Sequence, residues 1–301
     1  MKVHAEPRPL ETPLPGGQAG ATVTVEPMVC GTFSSPDVIQ SSPTGEVGKL
    51  KLLRSLRQER TAEPIPAFLI RPPGYGSILV DTGLHPSVAS DPVENLGRFG
   101  NWLYRPALGA GGDVSAQLRG KGVDPASIRL VILTHLHPDH ASGIAEFPDA
   151  TLIVSAAEWQ AATTGSLPAL RGYHRQQFDY AFDFRTASFD GEGVRSYASF
   201  ARTIDLFGDG SLRLAFTPGH SIGHQSVIAR LKERDMVIAG DAIYLESQLE
   251  AGADLPGVMA DAHNYRRSLQ ELRLFRSQYP DAVVTAGHDS GFYENAPERY
   301  E

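Results

Sequence analysis

The sequence predicts a single α/β domain, and two features of the chain indicate this fold class. Short apolar runs bounded by glycine or proline occur in consecutive groups, which is typical of the strands of a sheet. Stretches with helical spacing separate these groups, without an internal repeat or a clear linker. At 301 residues the chain is long for one domain, but α/β enzymes reach this size around a single core.

Five strands are predicted in the first half of the chain. Apolar residues alternate weakly from Val23 to Val29 and predict the first strand. The predicted strands are 22–33, 67–71, 77–81, 130–134 and 151–155, and a helix follows the last of them through Trp159. The connection 83–112 is predicted to be a long functional loop, because it carries aromatic residues among glycines and prolines. The segment 167–184 is left without an assigned structure.

Five more strands and a long helix are predicted in the second half. Gly208-Asp209-Gly210 lies between two apolar runs and predicts a hairpin turn. Asp261 is a candidate N-cap for a helix that carries apolar residues at spacings of three or four. The predicted strands are 204–207, 212–217, 226–231, 236–239 and 282–285.

The chain divides into a predicted N-terminal arm, residues 1–20, and one domain, residues 21–301. The arm is rich in Pro, Gly and Glu and lacks the apolar run of a secretory signal. We expect it to be exposed and to be one possible contact with a partner subunit.

Composition narrows the class of partner and the compartment. A net charge of −8 disfavours a nucleic-acid partner, which would need concentrated lysine and arginine. No apolar run approaches the roughly 20 residues that span a bilayer, so no membrane partner is expected. Cys30 is the only cysteine, which rules out an intramolecular disulfide and fits a reducing compartment. We therefore expect a cytoplasmic protein.

The strongest functional signal is the segment 134–140, which reads Thr-His-Leu-His-Pro-Asp-His directly after a predicted strand. Alternate residues of an extended segment point the same way, so His135 and His137 can bind one ion. The turn at Pro138 directs Asp139 and His140 towards a second ion. Imidazole and carboxylate ligands suit zinc and similar divalent metals.

Three further candidate ligands follow predicted strands: His220, Asp241 and His288, each preceded by glycine. A lone histidine at a strand end is usually a hydrogen-bonded structural residue, whereas the cluster at 135–140 is typical of a metal site. If the strand ends converge on one edge of a sheet, all these side chains meet there. His224 is ambiguous, and we expect it to support a ligand or the fold rather than to bind metal.

The complete pattern resembles that of the metallo-β-lactamase superfamily: His135-x-His137-x-Asp139-His140, then His220, Asp241 and His288. Val80-Asp81-Thr82-Gly83 is similar to the superfamily's early aspartate motif, in which the carboxylate orients a ligand histidine from behind. The resemblance implies an αββα sandwich, in which two mixed sheets carry helices on their outer faces.

Within the superfamily, the sequence is most similar to the N-acyl-homoserine lactone lactonases. The segment 217–226, Thr-Pro-Gly-His-Ser-Ile-Gly-His-Gln-Ser, looks like their central motif. Tyr244 lies three residues after Asp241, where these enzymes carry a substrate-binding tyrosine, and the Gly287-His288-Asp289 ending is also similar. The resemblance implies a quorum-quenching hydrolase that opens the lactone ring of N-acyl-homoserine lactones, and it suggests a homodimer.

The resemblance also implies how the ligands are shared. His135, His137 and His220 would hold one ion, and Asp139, His140 and His288 would hold the other. Asp241 would bridge the two. Zinc is the expected metal, with manganese, iron and cobalt as alternatives.

Two such ions would hold a water between them and lower its pKa to about 7, which gives a bridging hydroxide for attack on the lactone carbonyl. The phenol of Tyr244 would stabilise the oxyanion, since a tyrosine remains a donor at neutral pH. Asp139 would carry a proton to the leaving alkoxide.

An acyl chain would need an apolar cleft, and two groups of aromatic residues are candidates for it or for packing alone: Phe99, Trp102 and Tyr104, and Phe178, Tyr180 and Phe182. The alternatives are a hydrolase of other lactones, esters, phosphotriesters or thioesters on the same site, and a metal-binding protein without catalysis. A zinc β-lactamase with a cysteine ligand is disfavoured, because Cys30 precedes the metal motif.

Overall fold

A computed structural model of the chain describes residues 4–36, 39, 60–164 and 168–301. Within these residues the strands form two mixed sheets, one of seven strands and one of six. The strands of the first sheet are β1 (Arg8–Pro9), β2 (Thr24–Pro36), β3 (Arg60–Arg71), β4 (Ile78–Val80), β5 (Leu130–Ile132), β6 (Thr151–Ser155) and β7 (Asp183–Ala187). They lie side by side in the order β1-β7-β6-β5-β4-β3-β2. The strands of the second sheet are β8 (Arg195–Tyr197), β9 (Phe200–Asp205), β10 (Leu212–Phe216), β11 (Gln225–Arg230), β12 (Asp235–Ile238) and β13 (Val283–Thr285). They lie side by side in the order β13-β12-β11-β10-β9-β8.

The described helices connect the strands and cover the sheets. The α-helices are α1 (Pro92–Tyr104), α2 (Val114–Gly120), α3 (Pro138–Ala141), α4 (Ala156–Thr163), α5 (Ala262–Gln278) and α6 (Ser290–Asn295). Short 3-10 helices lie at Pro86–Ala89, Pro125–Ser127, Ser142–Glu146, Pro168–Arg171, Arg175–Gln177, Gly240–Ala242 and Glu246–Leu249.

Alternate residues of the strands face two different apolar layers. Phe68, Ile78 and Ile132 point inwards and pack against the second sheet, including Leu214 and Val227. Leu69, Leu79 and Val131 point outwards and pack beneath α2 and α4. Leu269, Leu272 and Phe275 of α5 cover the outer face of the second sheet. The predicted α/β class and the αββα sandwich are therefore confirmed.

Each strand predicted from the sequence overlaps a strand of the structure. The hairpin turn between β9 and β10 joins an antiparallel pair, as Gly208-Asp209-Gly210 predicts. Asp261 caps α5, because its carboxylate accepts hydrogen bonds from the backbone N–H groups of His263 and Asn264.

The prediction of an irregular loop over 83–112 was wrong, since α1 lies within it. Asp91 caps this helix by accepting from the N–H of Glu94, and Pro92 occupies its first turn, where no N–H is needed. Gly97, at φ 72°, interrupts the helix, and together with Gly100 it lowers the helix propensity of this stretch. The unassigned segment 167–184 holds two short 3-10 helices and the start of β7.

The N-terminal arm contacts its own chain. β1 pairs in parallel with β7, and the N–H of Leu14 donates to the carbonyl of Leu206 at 2.6 Å. Asp179 accepts from the N–H groups of His4 and Ala5. The arm thus lies along the edge of the seven-stranded sheet, and its boundary at residue 20 stays a prediction. Among the described residues, no helix has the length and apolarity needed to cross a membrane.

A candidate metal centre at the sheet edge

The candidate ligands meet because their strands end at a common edge. β4 and β5 are parallel neighbours, so Asp81 and His135 follow them on the same side. β12 and β13 are also parallel neighbours, which brings Asp241 and His288 together. β10 runs in the same direction as β12, because β11 between them is antiparallel to both, and it delivers His220 to this edge. All seven side chains predicted from the sequence lie here.

Three histidines form the first cluster, called here the three-histidine group: His135, His137 and His220. His220 Nε2 lies 3.1 Å from His135 Nε2 and 2.8 Å from His137 Nδ1. Three ring nitrogens therefore converge on one point from two separate loops.

The second cluster is called here the mixed group and contains Asp139, His140, Asp241 and His288. His140 Nε2 lies 3.2 Å from Asp241 Oδ1 and 3.4 Å from Asp139 Oδ2. His288 Nε2 lies 3.3 Å from Asp241 Oδ2. The same Asp241 Oδ2 is also 3.3 Å from His220 Nε2, so the carboxylate of Asp241 lies between the two groups.

Hydrogen bonds on the far side of the rings fix which nitrogen faces the centre. His137 Nε2 lies 3.0 Å from the carbonyl of Arg171, and His288 Nδ1 lies 3.0 Å from the carbonyl of Pro64. A carbonyl only accepts, so these nitrogens donate, and in the neutral ring the other nitrogen presents a lone pair. His137 Nδ1 and His288 Nε2 therefore face the centre as acceptors.

This donor set fits divalent metal ions. Within the described part of the chain, His140 Nε2 and Asp241 Oδ1 are buried without a hydrogen-bond partner, which is a costly state for polar atoms unless a cation lies between them. In the three-histidine group, His220 Nε2 lies 2.8–3.1 Å from the facing nitrogens of the other two rings, and lone pairs on these nitrogens would repel each other unless a cation lay between them. Imidazole nitrogen and carboxylate oxygen are ligands of zinc and related metals, and ions held here would satisfy every one of these atoms.

Two rings of the three-histidine group, His135 and His220, favour the neutral form. Burial lowers the pKa of His135 well below its ordinary value, and the charges of His140, His137 and His220 act in the same direction. Burial also lowers the pKa of His220, against the opposing charge of Asp241. Neutral imidazole is the form that binds metal, so these two rings are prepared for an ion at neutral pH.

The mixed group has the opposite electrostatic balance. Burial opposes a charge on His140, but Asp139, Asp241 and Asp81 outweigh burial and hold its pKa well above the ordinary value. Burial likewise opposes the charge on His288, while Asp241 and Asp139 raise its pKa to about 9. Carboxylates therefore give this group its attraction for cations.

Asp81 supports His140 from behind. Asp81 Oδ2 lies 2.8 Å from His140 Nδ1, and Asp81 Oδ1 accepts from the N–H of Thr134 at 2.7 Å. Asp81 has a φ of 58°, a left-handed conformation that residues with a Cβ rarely adopt. The strain is consistent with a carboxylate held in place to orient a ligand ring.

His224 supports Asp241 rather than pointing at the two groups. Its Nε2 accepts from the N–H of Asp241 at 3.0 Å, and its Nδ1 lies 2.9 Å from Thr217 Oγ1. Burial lowers the pKa of His224 to about 3, so the ring stays neutral and Nε2 remains an acceptor. Gly240 has a φ of 55°, and a Cβ there would lie 2.8 Å from His224 Nε2. Glycine is therefore required for this contact.

Tyr244 reaches the three-histidine group with its phenol. Tyr244 Oη lies 3.1 Å from His220 Nδ1, and the ring packs edge-on against His288 with centroids 5.0 Å apart. Burial raises the pKa of Tyr244 well above its ordinary value, and the charge of Asp241 adds to the effect. The phenol therefore keeps its proton.

The six aromatic residues proposed for an acyl pocket separate into three environments. Phe99 and Trp102 lie on α1 with 71% and 47% of their surface exposed. Burial raises the pKa of Tyr104 to about 12, and the charges of Asp139, Glu63 and Asp241 also reach its phenol. Phe178, Tyr180 and Phe182 pack on the outer layer of the seven-stranded sheet. Of the six, Tyr104 is the residue that the structure connects to the metal-binding groups.

Glu158, a buried carboxylate that contacts the backbone beside the candidate ligands, is not among the residues predicted from the sequence. It accepts from the N–H groups of Leu136 and Gly223, both at 3.0 Å. The only signal in the sequence was its position three residues after Ser155, which is typical of a helix cap and gives no sign of a role at the site.

With the geometry described, comparison with known proteins decides the family. Residues 60–288 match the metallo-beta-lactamase superfamily. The chain belongs to this superfamily. The predicted family, and the predicted likeness to N-acyl-homoserine lactone lactonases, are confirmed.

Curated members of the metallo-β-lactamase superfamily are similar over most of their length. The N-acyl homoserine lactonase AttM of Rhizobium radiobacter is 36% identical over 241 residues, which are 79% of this chain and 87% of that protein. AttM of Azorhizobium caulinodans is 36% identical over 230 residues, 75% of this chain and 82% of that protein.

Solved structures of the metallo-β-lactamase superfamily share the fold. An N-acyl homoserine lactone hydrolase, with the product N-hexanoyl-L-homoserine bound at its catalytic metal centre, has a TM-score of 0.72 at 20% identity. The match covers 92% of this chain and 97% of that one. AidC, a dizinc quorum-quenching lactonase, has a TM-score of 0.54 at 17% identity, covering 90% of this chain and 88% of its own.

Proposed function

We propose that the chain is a metal-dependent hydrolase that opens the lactone ring of N-acyl-homoserine lactones, and so quenches quorum signals. One observation carries this proposal: Asp241 Oδ2 lies 3.3 Å both from His220 of the three-histidine group and from His288 of the mixed group. A carboxylate in that position suits a ligand shared by two ions. The lactonase names of the curated relatives supply the substrate class.

Two divalent ions, with zinc as the expected metal, would be held in two sets of ligands. His135, His137 and His220 would hold the first ion, and Asp139, His140 and His288 the second, with Asp241 shared. Ions in these positions supply Lewis-acid polarisation of the carbonyl and a water acidic enough to react at neutral pH.

Residues of the chain would perform the remaining steps. Tyr244 would donate its phenol hydrogen to the carbonyl oxygen as negative charge develops there, since its raised pKa keeps the proton in place. Asp139 would accept a proton from the attacking water and deliver it to the alkoxide that leaves when the ring opens. Its pKa is lowered, because the charge of His140 outweighs the effect of burial, so it begins as an acceptor.

Substrate hydrolysis tests the proposal directly. Zinc-loaded protein is given N-acyl-homoserine lactones of short and long acyl chain, and acid release is followed at constant pH. We expect ring opening by the unaltered chain and its loss in His137→Ala, which removes one of the three converging nitrogens. Phe182→Ala, a change in an outer packing layer, is the control and should keep most of the activity.

The other outcomes distinguish the alternatives. Two bound zinc ions without lactone turnover, but with hydrolysis of simple esters or thioesters, would move the assignment to those substrates. Bound zinc without turnover of any of them would indicate a metal-binding protein. A homodimer and a cytoplasmic location stay predictions, for which light scattering and cell fractionation are the measurements.

A further inference from the structure

Glu158 is a fully buried carboxylate that accepts hydrogen bonds from two separate segments of the chain. Its Oε1 accepts from the N–H of Leu136 at 3.0 Å. Its Oε2 accepts from Ser221 Oγ at 2.7 Å and from the N–H of Gly223 at 3.0 Å. These three donors satisfy both oxygens of the buried carboxylate.

Two of the donors, and one neighbouring ring, lie directly beside members of the three-histidine group. Leu136 lies between His135 and His137 in the chain, and Ser221 follows His220 directly. The ring of Tyr173 packs against His137 with centroids 5.3 Å apart. The two loops that carry the three imidazoles are therefore tied to one another through a single side chain.

The position of Glu158 is itself fixed by close packing. Its N–H donates to Ser155 Oγ, which caps α4, and Ser155 Oγ donates in turn to the carbonyl of Gly223. A Cβ on Gly223 would lie 2.0 Å from the backbone nitrogen of Glu158, so only glycine allows the helix and the loop to approach this closely.

A different carboxylate serves the mixed group. Asp81 contacts the ring of His140 at 2.8 Å and the N–H of Thr134 at 2.7 Å. Asp81 thus contacts the His140 ring directly and reaches His135 through the Thr134 hydroxyl, whereas Glu158 contacts the backbone that carries the three-histidine group.

We propose that Glu158 is a positioning residue for the three-histidine group, and that it sets the metal affinity of that half of the centre selectively. Its carboxylate holds the 135–137 segment and the 220–223 loop at the separation at which three imidazole nitrogens share one ion. The inference rests on the metal centre of the proposed function, and it does not depend on the lactone substrate.

Glu158→Gln tests the inference with little change in volume. The amide keeps one oxygen but turns an NH2 group towards donors, so at least one of the hydrogen bonds is lost. The affinity of both sites for zinc is measured by competition with a chromophoric chelator, and bound zinc is counted by elemental analysis. We expect one of two ions to bind 10–100-fold more weakly, which is the usual effect of losing such a support.

Two single-site backgrounds show which ion is weakened. In His288→Ala the three-histidine group remains, and adding Glu158→Gln should weaken zinc binding by about 10–100-fold. In His137→Ala the mixed group remains, and the same addition should change zinc binding by less than about 3-fold. Equal weakening in both backgrounds, or none in either, would overturn the inference.

Glu26→Gln is the matched control, since Glu26 is another buried carboxylate and accepts from Arg71 and Arg299 away from the ligands. It should leave both zinc affinities unchanged, and weakening as large as that of Glu158→Gln would also overturn the inference. If circular dichroism shows that Glu158→Gln does not fold, Ser221→Ala removes one donor alone. In the His288→Ala background, Ser221→Ala should lower the affinity for zinc by about 3–10-fold. An unchanged affinity there would contradict the positioning role of Glu158.

Lactone hydrolysis is measured separately on the unaltered chain, so that the two proposals fail independently. If Glu158→Gln selectively lowers the zinc affinity of the three-histidine group but the unaltered chain does not hydrolyse lactones, the role of Glu158 stands and the lactonase assignment is refuted. A chain that hydrolyses lactones while Glu158→Gln binds both ions normally keeps the lactonase and refutes the role of Glu158.

Discussion

Tyr244 Oη lies 3.1 Å from His220 Nδ1, on the side of the ring opposite the other histidines. His220 Nε2 faces His137 Nδ1 at 2.8 Å, so in the metal-binding form Nε2 gives up its proton and Nδ1 keeps one. Nδ1 would then donate to the oxygen of Tyr244, which would leave the hydroxyl hydrogen of Tyr244 for a substrate oxygen. One phenol would therefore support a ligand and present a donor at the same time.

Tyr244→Phe should lower kcat/KM on N-acyl-homoserine lactones by about 100-fold or more, the usual cost of one donor to a developing oxyanion. With zinc in excess, the variant should still bind the same number of ions, because the ring of His220 keeps its nitrogen towards the centre. Steady-state kinetics and elemental analysis are the measurements. Tyr265→Phe, which removes a buried hydroxyl without a hydrogen-bond partner, is the control and should change neither quantity. Normal kcat/KM in Tyr244→Phe would refute the donor role.

Features that repeat along the chain could be predicted from the sequence. Alternation from Val23 to Val29 identified β2, and the positions of His135, Asp241 and His288 after apolar runs placed the ligands at one sheet edge. These signals are local, because a strand and the residue that follows it are adjacent in the sequence.

Contacts between distant segments could not be predicted in this way. Glu158 contacts Leu136 and Gly223, which are 22 and 65 residues away in the sequence. Nothing in the spacing of either pair predicts that the two residues are neighbours. For α1 the reason is local: Gly97 and Gly100 lower its helix propensity, although Asp91-Pro92 is a good helix start.

Asp139→Asn should test proton delivery to the leaving group. Asp139 Oδ2 lies 3.4 Å from His140 Nε2 and 3.5 Å from His288 Nε2, and the amide oxygen of asparagine can still take part as a ligand. We expect zinc to remain and kcat on lactones to fall by about 100-fold, which is within the range for a general acid or base.

An aryl ester provides the internal comparison for Asp139→Asn, because a phenolate leaves without being protonated. The deficit should therefore be much smaller on the aryl ester than on the lactone. Full lactone activity with both ions retained would rule out Asp139 as the proton carrier, and an equal deficit on both substrates would rule out proton delivery to the leaving alkoxide as the step that Asp139 accelerates.

Removal of metal should destabilise the fold. Each ion present at about 1,000 times its Kd stabilises the native state by about 4 kcal/mol, and 1 kcal/mol corresponds to roughly 2 °C in Tm for a chain of this size. Chelation should therefore lower Tm by on the order of 10–15 °C, and zinc should restore it, as measured by calorimetry. The double variant His137→Ala, His288→Ala should be insensitive to the chelator. An unchanged Tm in the unaltered chain would contradict metal binding.

The attachment of the N-terminal arm should depend on pH in acid. Asp183 Oδ1 lies 2.7 Å from Arg8 Nη2, and Arg185 and Thr151 also donate to this carboxylate. Burial opposes the charge on Asp183, but these hydrogen bonds outweigh it and lower the pKa to about 2 from an ordinary 3.8. Because the folded value is the lower one, the stabilisation is present above pH 3.8 and is lost as the pH falls through 2.

Asp183→Asn should lower the free energy of unfolding by about 1 kcal/mol at pH 5, a value discounted because the carboxylate is partly exposed. The difference between the unaltered chain and the variant should shrink by about half at pH 3, as measured by urea unfolding at both pH values. Arg8→Ala should produce a smaller change of the same sign. A difference that is independent of pH would show that the charge of Asp183 is not what holds the arm.

Tyr104 is the aromatic residue through which we expect acyl chains to be recognised. It stacks on Phe33 with centroids 5.0 Å apart, and the charges of Asp139 and Asp241 add to burial in raising the pKa of its phenol. Burying an aromatic contact is worth about 1.5–3 kcal/mol, so Tyr104→Ala should lower kcat/KM at least about 10-fold more for a long-chain lactone than for a short one. Tyr180→Ala removes an aromatic stacked on Phe182 in an outer layer, and should affect both lactones equally. An equal loss on both lactones in Tyr104→Ala would move the acyl site elsewhere.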